Sequence, residues 1–289
     1  MHHASMEEKR IAVDGVTSSV FCAGDERSTE AVVFVHGNPG PSDDFHYLLP
    51  QIAAFARVIA PDMPGFGRAD RARDFDYTAE GFARHLDGIL RALSIERVHL
   101  VLHDLGGAWG FQWAIEHTAR VKSVALINVG IMPDYRWHSL ARIWRTPIVG
   151  ELFQLLASKP RVRHALNANN PRPFPDAFLD RVTGFADWGH KRAVLKFYRA
   201  TSDPGGRARA AIDAVKSLRL PALVLWGDGD PFVPVKFAES QKQYFDAEVH
   251  ILEGCGHWPM VDDPEKVASL LMPFLRRQGG SPRSFTASS

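Results

Sequence analysis

The sequence predicts an α/β protein in which a mostly parallel sheet of eight strands is flanked by helices. Short apolar, β-branched runs alternate with longer segments whose apolar residues recur at helical spacing. This alternation is typical of strand–helix–strand units, which build parallel sheets. It stops between residues 131 and 218, where helix-like segments follow one another, so we expect a helical cap inserted after the sixth strand.

Eight segments have the composition and length of strands. Six precede the insertion and two follow it. In chain order they are RIAVDG (10–15), SSVFCAG (18–24), AVVFVHG (31–37), ARVIAPD (56–62), VHLVLHD (98–104), SVALINVG (123–130), PALVLWGD (221–228) and AEVHILEG (247–254).

The helix signals divide into those of a core and those of the cap. Three core helices are expected: from Tyr77, from Ala108, and from Pro264, where proline suits a first turn. The cap contains the helix-like pieces WHSLARIW, PIVGELFQLLAS, PDAFLDRVTGF and HKRAVLKFYRA, joined by NANNPRPFPD and SDPGG, which have loop or hinge composition. The predicted organisation is a core of residues 1–130 and 219–278, a cap of 131–218, and a small, polar, flexible tail of 279–289.

Composition excludes several function classes. The formal net charge is +1 with cations spread along the chain, which disfavours nucleic-acid binding, and no apolar run reaches the roughly 18–20 residues of a membrane span. Cys22 and Cys255 are too few for a disulfide scaffold or a thiolate zinc site, which favours a cytoplasmic protein. The expected partners are a small apolar organic substrate and water, without nucleic acid or membrane, and with a homodimer as the possible assembly.

No motif for a cofactor or a metal is found in the sequence. The Gly-rich stretch PDMPGFGRAD (61–70) lacks the Lys-Ser/Thr of a phosphate-binding loop and the spacing of a dinucleotide fingerprint, so a structural turn is favoured. The histidines include no HExxH pair, and there is no tight carboxylate cluster. We therefore expect neither a cofactor nor a metal.

Asp104 is the first candidate for catalysis. It ends the strand VHLVLHD and is followed by Gly106 and Gly107 and then by a helix, which is the setting of a nucleophile elbow. A carboxylate nucleophile attacks carbon and leaves an ester on the enzyme, which water must then hydrolyse. The alternative is that Asp104 only caps the following helix.

Two further motifs fit the same chemistry. VHGNPG places His36 and Asn38 after an earlier strand, so the amides of Asn38 and Leu105 can form an oxyanion hole, although an ordinary Gly-Pro turn has the same pattern. Late in the chain His257 follows the last strand, where it can activate water. Asp230 is preferred to Asp228 as the acid that orients it; a lone histidine is otherwise more often structural.

Together these motifs resemble the α/β-hydrolase fold family, in the branch with an aspartate nucleophile. The matching stretches are HGNPG, DMPGFGRAD, HDLGG, WGDGDPFVP and GCGHWP, in that order from His36 to Pro259. The resemblance covers nearly the whole chain and implies an Asp104–His257–Asp230 triad. The branch contains epoxide hydrolases and haloalkane and fluoroacetate dehalogenases, and these motifs do not choose between cleavage of carbon–oxygen and carbon–halogen bonds.

The residues that would assist the leaving group favour epoxides. Dehalogenases usually carry a Trp directly after the nucleophile, and this chain has Leu105 there, although HGNP resembles one dehalogenase subgroup in which the Asn contacts halide. In epoxide hydrolases a stretch similar to VLKFYRA carries a ring-opening tyrosine, which implies that role for Tyr198. The position of the second donor, near Glu151, has neither Tyr nor His, which leaves Tyr135 and His138 as substitutes.

The sequence thus predicts a cofactor-independent hydrolase, most consistent with an epoxide hydrolase that converts an epoxide and water to a vicinal diol. A haloalkane or haloacid dehalogenase is the alternative, and a non-catalytic ligand-binding protein of the same fold is the third hypothesis. Residues proposed to line a pocket between cap and core are His36, Tyr135, His138, Trp109, Trp137, Trp144, Trp188 and Trp258.

Overall fold

The structure is a computed structural model that describes residues 6–279. Apart from Gly279, the predicted tail at 279–289 lies outside the described residues. Within residues 6–279, none of the helices has the length and hydropathy needed to cross a membrane.

The expected eight-stranded sheet is confirmed, and each predicted run overlaps one strand. The strands lie in the order β1-β2-β4-β3-β5-β6-β7-β8; β2 pairs antiparallel with both β1 and β4, and the pairings from β4 onward are parallel. Their bounds are β1 Glu7–Val13, β2 Val16–Ala23, β3 Glu30–Val35, β4 Arg57–Pro61, β5 Arg97–His103, β6 Val121–Ile127, β7 Pro221–Gly227 and β8 Asp246–Leu252.

The sheet separates two hydrophobic layers because successive side chains of a strand point to opposite faces. In β5, Leu100 and Leu102 pack in one layer and Val101 in the other. All three are fully buried, which explains why this strand is a continuous apolar run rather than an alternating one. The strand therefore delivers its last residues, His103 and then Asp104, to the carboxyl edge of a rigid sheet.

The helices of the core follow the predictions with shifted starts. The helix predicted from Ala108 begins three residues earlier, at Leu105, directly after Asp104. Asp263 caps the last helix, whose first residue is Pro264 as predicted. The bounds are α1 Leu49–Ala53, α2 Ala79–Ala92, α3 Leu105–Glu116, α10 Lys236–Ser240, α11 Pro259–Asp262 and α12 Pro264–Gln278, with 3₁₀ turns at Ser42–Phe45 and Gln241–Gln243.

Six helices lie between β6 and β7, all within described residues, where the sequence predicts a helical cap. They are α4 Ser139–Arg145, α5 Val149–Leu156, α6 Lys159–Ala168, α7 Asp176–Gly184, α8 Trp188–Ala200 and α9 Pro204–Ser217. The boundaries of core and cap as separate segments stay a prediction. We call residues 131–218 the cap.

Two cap helices, α6 and α9, are absent from the sequence prediction. Helix α6 has no buried residue, and its apolar side chains at helical spacing are limited to Val162, Ala165 and Leu166, which is a weak signal. Helix α9 begins inside SDPGG, whose composition predicts a loop or hinge: Asp203 accepts the amide hydrogen of Gly206 at 2.8 Å, and Pro204 takes the first helical position. Residues that suit a turn also suit a helix start, which is why the sequence pattern was ambiguous.

Candidate active site

Asp104 lies on a sharp turn between β5 and α3. Its φ of 47° and ψ of −123° are outside the regions that residues with a Cβ ordinarily adopt, so the backbone is strained there. The side chain makes no capping hydrogen bond to α3, which argues against the helix-capping alternative. The carboxylate is instead directed toward groups from other loops.

Two glycines make this turn possible. A Cβ at Gly106 would lie 2.7 Å from the carbonyl oxygen of His36 and still closer to that of Val35, so only glycine lets α3 approach β3. A Cβ at Gly37 would meet the carboxylate of Asp104, with Cγ at 2.8 Å. The glycines of HGNPG and HDLGG therefore bring two loops to within contact distance of each other.

The structure brings Asp104, His257 and Asp230 together at the carboxyl edge of the sheet. The Nε2 atom of His257 lies 3.6 Å from Oδ1 of Asp104, and its Nδ1 lies 2.7 Å from Oδ2 of Asp230. The imidazole is thus held between two carboxylates, one on each ring nitrogen. This is the geometry of a nucleophile, a base and an orienting acid.

Asp230 is fixed by hydrogen bonds on both carboxylate oxygens. Its Oδ1 accepts the amide hydrogens of Phe232 and Val233 at 2.7 and 2.9 Å, and its Oδ2 accepts Nδ2 of Asn128 at 2.6 Å in addition to His257. Asp228 accepts the amide hydrogen of Gly254 at 2.9 Å and does not contact His257. Of these two aspartates, Asp230 is thus the one that contacts His257.

The charges of the three groups depend on one another. Burial alone would raise the pKa of Asp104, but the contact with His257 and the charges of His257 and His103 lower it to about 2. Burial lowers the pKa of His257, and the carboxylates of Asp230 and Asp104 overcome this and raise it to about 10. Each group therefore favours the charged form of the other.

The predicted oxyanion residues adjoin the carboxylate of Asp104. The amide of Asn38 donates to Oδ2 of Asp104 at 2.7 Å. Leu105 is the first residue of α3, where backbone N–H groups have no partner within the helix. A carboxylate oxygen therefore already lies against one of the two expected donors.

Tyr198 of α8 is buried near Asp104. Burial, and then the charge of Asp104 and the neighbouring Tyr135, raise its pKa well above the ordinary value, so the phenol stays protonated. The side chain of Asn38 lies beside the hydroxyl, and no other hydrogen-bond partner occurs for it within residues 6–279. A ligand that reaches this hydroxyl therefore competes only with the Asn38 amide for its hydrogen bond.

His138 caps helix α4 from a position near the same site. Its Nδ1 accepts the amide hydrogen of Ala141 at 3.2 Å, and burial lowers its pKa to about 4. The ring is therefore neutral at pH 7, and because Nδ1 is an acceptor the ring hydrogen is on Nε2. Its ring centroid lies 6.3 Å from that of Tyr198, so the two rings belong to one aromatic cluster of the cap.

Tyr135 faces the site but has a backbone partner. Its hydroxyl donates to the carbonyl oxygen of Phe232 at 3.3 Å, and burial with the charges of Asp104 and Asp230 raises its pKa. Of the two substitutes for the missing second donor, His138 therefore has the freer hydrogen.

A cavity of about 420 Å³ opens from Asp104 between α3 and α9. Its walls are mostly apolar, and polar groups cluster around Asp104 at one part and around Glu80, Gln112 and Arg207 at another. Arg207 donates to Glu80 at 2.5 Å and to Gln112 at 2.8 Å, which ties the cap to the core. A small, largely apolar substrate fits this space.

Several of the predicted pocket residues lie elsewhere. Trp188 is 47% exposed at the start of α8, because its helix directs the opposite face toward the core. Trp109 stacks on Phe82 inside the core, with ring centroids 4.1 Å apart. His36 uses both ring nitrogens to hold its own loop, at 2.8 Å from the carbonyl oxygen of Gly37 and 3.0 Å from the amide of Met63.

The remaining tryptophans divide between cavity and packing. Trp137 lines the cavity, and its indole N–H donates to the carbonyl oxygen of Thr201 at 2.8 Å. Trp144 packs on Tyr198 at 5.0 Å behind the site. Trp258 packs against His257 and Phe174 rather than on the cavity. Aromatic residues alone thus gave no reliable signal for the cavity walls.

Two residues that the sequence analysis did not assign to the site support the triad. Asn128, at the end of β6, donates to Asp230 and to the carbonyl oxygen of Gly256 and accepts the amide hydrogen of Gly227 at 3.0 Å. His103 lies 2.8 Å from the carbonyl oxygen of His257. Their position in the sequence could have identified both residues, because each is a polar residue directly at the end of a buried strand of a parallel sheet.

Among the residues that the structure describes, there is no group of three or more His, Cys, Asp or Glu side chains that could hold a metal ion. Cys22 and Cys255 are both buried and free, and burial raises the pKa of each thiol to about 11.

Comparison with known proteins identifies a matching family and several similar proteins. The family model of the alpha/beta hydrolase fold matches residues 30–264. The chain is similar to a cis-3-alkyl-4-alkyloxetan-2-one decarboxylase of Shewanella oneidensis, with 27% identity over 86% of this chain and 83% of that protein. It is also similar to a 2-hydroxy-6-oxo-2,4-heptadienoate hydrolase of Pseudomonas putida, with 28% identity over 84% and 88% of the two chains.

A solved structure with the same fold is the epoxide hydrolase CorEH. It superposes with a TM-score of 0.80 at 17% identity and covers 94% of this chain and 99% of that chain. At this identity the likeness concerns the fold alone. With the eight-stranded sheet and the family match across most of its length, this chain belongs to the alpha/beta hydrolase fold family.

Proposed function

We propose that this protein is a cofactor-independent hydrolase that opens epoxides through a covalent ester on Asp104. The observation that carries the proposal is a carboxylate at the elbow with His257 at 3.6 Å, and with the protonated phenol of Tyr198 near enough in the cap for the charge of Asp104 to raise its pKa. Each group has a separate task in a two-step reaction.

In the first step a carboxylate oxygen of Asp104 bonds to an epoxide carbon, and the carbon–oxygen bond of the ring breaks. The leaving oxygen would become an alkoxide, so it needs a proton donor. Tyr198 supplies that proton, and the Nε2 hydrogen of His138 stabilises the same oxygen. The product is a hydroxyalkyl ester of Asp104.

Ester formation also prepares the second step. It removes the negative charge of Asp104, which is one of the two charges that raise the pKa of His257. The imidazolium then gives up its proton, which returns to the Tyr198 phenolate through water, and the neutral imidazole acts as a base toward the attacking water. Water attacks the ester carbonyl, the amides of Asn38 and Leu105 stabilise the oxyanion, and the diol leaves as the carboxylate is restored.

The nucleophile type favours attack on saturated carbon. A carboxylate that adds to a ketone carbonyl and then expels the neighbouring carbon would yield an acid anhydride, whereas attack on an epoxide or haloalkane carbon breaks a carbon–oxygen or carbon–halogen bond and yields a stable ester. The name of the Pseudomonas relative describes a keto-acid substrate, and that chemistry fits Asp104 poorly. The name of the Shewanella relative describes a four-membered ring, whose strained carbon–oxygen bond is closer to an epoxide.

The cavity indicates an extended apolar substituent. Leu105, Ala108, Gln112 and Ile115 line it along one face of α3, a span of about 15 Å at 1.5 Å per residue. On the facing helix α9 the wall is formed by Ala208, Ala211 and Ala214, whose small side chains leave the space open. An epoxide that carries a linear alkyl chain would lie between the two helices.

A dehalogenase is the second candidate, favoured by one observation. The indole N–H of Trp144 is buried without a partner within residues 6–279, and it belongs to the ring that packs on Tyr198. A buried indole N–H of this kind is a donor that a halide can use.

A parallel assay separates the candidates. Purified protein is offered racemic styrene oxide, 1-bromobutane and a cis-3,4-dialkyloxetan-2-one; diol, bromide and alkene are measured. We expect diol formation that depends on Asp104 and exceeds the other two reactions. Bromide release or alkene formation without diol would overturn the epoxide proposal.

A further inference from the structure

Helix α5 carries an apolar surface that no described part of the chain covers. The apolar residues of this surface lie on one side of the helix and on the turn before it, and they are between 39% and 73% exposed. Patches of this kind on a folded chain mark contacts with another protein or a membrane. We call this surface the α5 patch: Ile148, Val149, Leu152, Phe153, Leu155 and Leu156.

The orientation of α5 is opposite to that of an ordinary amphipathic helix. At 100° per residue, the members of the α5 patch lie within about 160° of the helix circumference. The residues buried against the cap are Gly150 and Gln154, from the other side. Gly150 lies against the Trp144 carbonyl oxygen and the Leu195 side chain, where a larger residue would not fit.

The buried side of α5 is also anchored by polar contacts. Lys191 of α8 donates to the carbonyl oxygens of Gln154 and Ala157 at 2.8 and 2.9 Å. These bonds, with the close approach at Gly150, fix the rotation of the helix. The α5 patch therefore faces solvent as a consequence of packing.

The surroundings of the α5 patch are positively charged. Arg142, Lys159 and Arg161 are exposed beside it, and none of the three forms an ion pair within residues 6–279. The one carboxylate on α5, Glu151, is neutralised by Arg199 at 2.7 and 2.8 Å. An apolar surface with unpaired cations at its edge is complementary to an anionic apolar interface.

We propose that the α5 patch docks the protein on an anionic lipid surface. Its leucine and phenylalanine side chains enter the boundary between headgroups and acyl chains, and Arg142, Lys159 and Arg161 contact lipid phosphates. A two-fold pairing of the patch with a second copy would bring the same cations against each other, which disfavours self-association there. The expectation of no membrane partner rested on the lack of a spanning segment and did not address a surface contact.

The test is flotation of the full chain with 100 nm vesicles of phosphatidylcholine alone or with phosphatidylglycerol added. We expect binding to the mixed vesicles, weaker binding to neutral ones, and loss of binding at high salt. The double variant Leu152→Gln/Leu156→Gln should bind the mixed vesicles at least about tenfold more weakly, because two apolar side chains no longer enter the lipid. Ile251→Gln, at an exposed apolar residue of β8, is the matched control and should bind like the parent chain.

Three results would overturn the proposal: no binding of the parent chain to the mixed vesicles, equal binding by the double variant, or equal loss in the Ile251→Gln control. Light scattering after size-exclusion chromatography tests whether a second copy of the chain covers the α5 patch instead. A dimer that the double variant abolishes, without vesicle binding, would assign the α5 patch to a second copy instead. Circular dichroism should show the same melting curve for the double variant, since neither leucine packs in the core.

Discussion

The core and the cap hold their functional side chains by different means. In the core, Asp230 is fixed by two backbone amides, Asn128 and His257, and Asp104 is held on a strained turn between a buried strand and a helix. In the cap, Tyr198 is held by packing against Trp137 and Trp144, at 4.8 and 5.0 Å between ring centroids, and its hydroxyl has only the Asn38 side chain as a partner among the described residues.

Because of this difference, we expect the core residues to determine the mechanism and the cap residues to determine which substrate reacts. Hydrogen bonds to the backbone fix the core groups regardless of the ligand, so the proposed ester chemistry depends on residues that cannot move independently. Aromatic packing fixes the position of a ring but leaves its polar atom unbonded, which suits a group that must meet the substrate. Changes in the core should therefore stop turnover of every substrate, and changes in the cap should act on ring opening and selectivity.

The largest effect is expected for His257→Gln. Without the base, the ester of Asp104 forms but is hydrolysed slowly, and steady-state turnover should fall about 10³- to 10⁴-fold. Intact-protein mass spectrometry after mixing with styrene oxide should show an increase equal to the mass of one substrate molecule. Asp104→Asn is the control and should show no adduct; an adduct on that variant would place the nucleophile elsewhere.

Tyr198→Phe should give a smaller loss and no adduct. The variant lacks one proton donor for the leaving oxygen while His138 remains, so we expect kcat/KM for epoxides to fall about 10- to 100-fold. Ester hydrolysis is unaffected, so the ester does not accumulate. Rapid-quench kinetics check this, and build-up of the ester in Tyr198→Phe would contradict the division of tasks between cap and core.

Ala211→Leu should change the choice of substrate more than the rate. The added side chain fills the cavity between α3 and α9, so kcat/KM for 1,2-epoxydecane should fall about tenfold while that for 1,2-epoxypropane stays within about twofold. Ala165→Leu, at an exposed alanine of α6, is the matched control. Equal losses for both chain lengths would show that this cavity does not hold the alkyl chain.

Asp44→Asn should leave turnover unchanged and alter stability with pH. Asp44 is 1% exposed without a hydrogen-bond partner among the described residues, and burial raises its pKa to about 8 despite the charge of Arg181. Protonated Asp44 therefore contributes to the free energy of unfolding of the parent protein. This contribution is fully present below about pH 4 and is lost as the pH rises through about 8. Melting temperatures should show that the advantage of Asp44→Asn over the parent grows from pH 5 to pH 9.

The control for that experiment is Asp213→Asn, at an exposed aspartate of α9. Its effect on the melting temperature should be small and independent of pH. A pH-independent difference for Asp44→Asn as well would show that Asp44 does not ionise in the folded protein within this range.

The sequence predicted the core far better than the cap because the two leave different local signals. Asp104, Asn38 and His257 each come shortly after an apolar run and lie within two residues of a glycine, and parallel strands bring such positions to one edge of a sheet. Asp230 could be preferred to Asp228 but only the structure shows its bond to His257.

In the cap, function depends on which way each helix faces, which depends on contacts between distant residues. Trp188 looked like a pocket residue and is exposed, whereas the alanines of α9 gave no signal and form a cavity wall. Helix α5 is the extreme case, since its apolar residues would ordinarily be predicted to face inward. The tautomer of His138, which makes it a donor, follows from one hydrogen bond to Ala141.

The central claim, a covalent ester on Asp104, is tested most directly by turnover in H₂¹⁸O. Because water attacks the ester carbonyl, one ¹⁸O atom should enter the carboxylate of Asp104, and the diol from a single turnover should carry unlabelled oxygen from the enzyme. Mass spectrometry of the proteolytic peptide that contains Asp104, and of the diol, measures both. A labelled diol with an unlabelled Asp104 would show that water attacks the epoxide directly and would contradict the account.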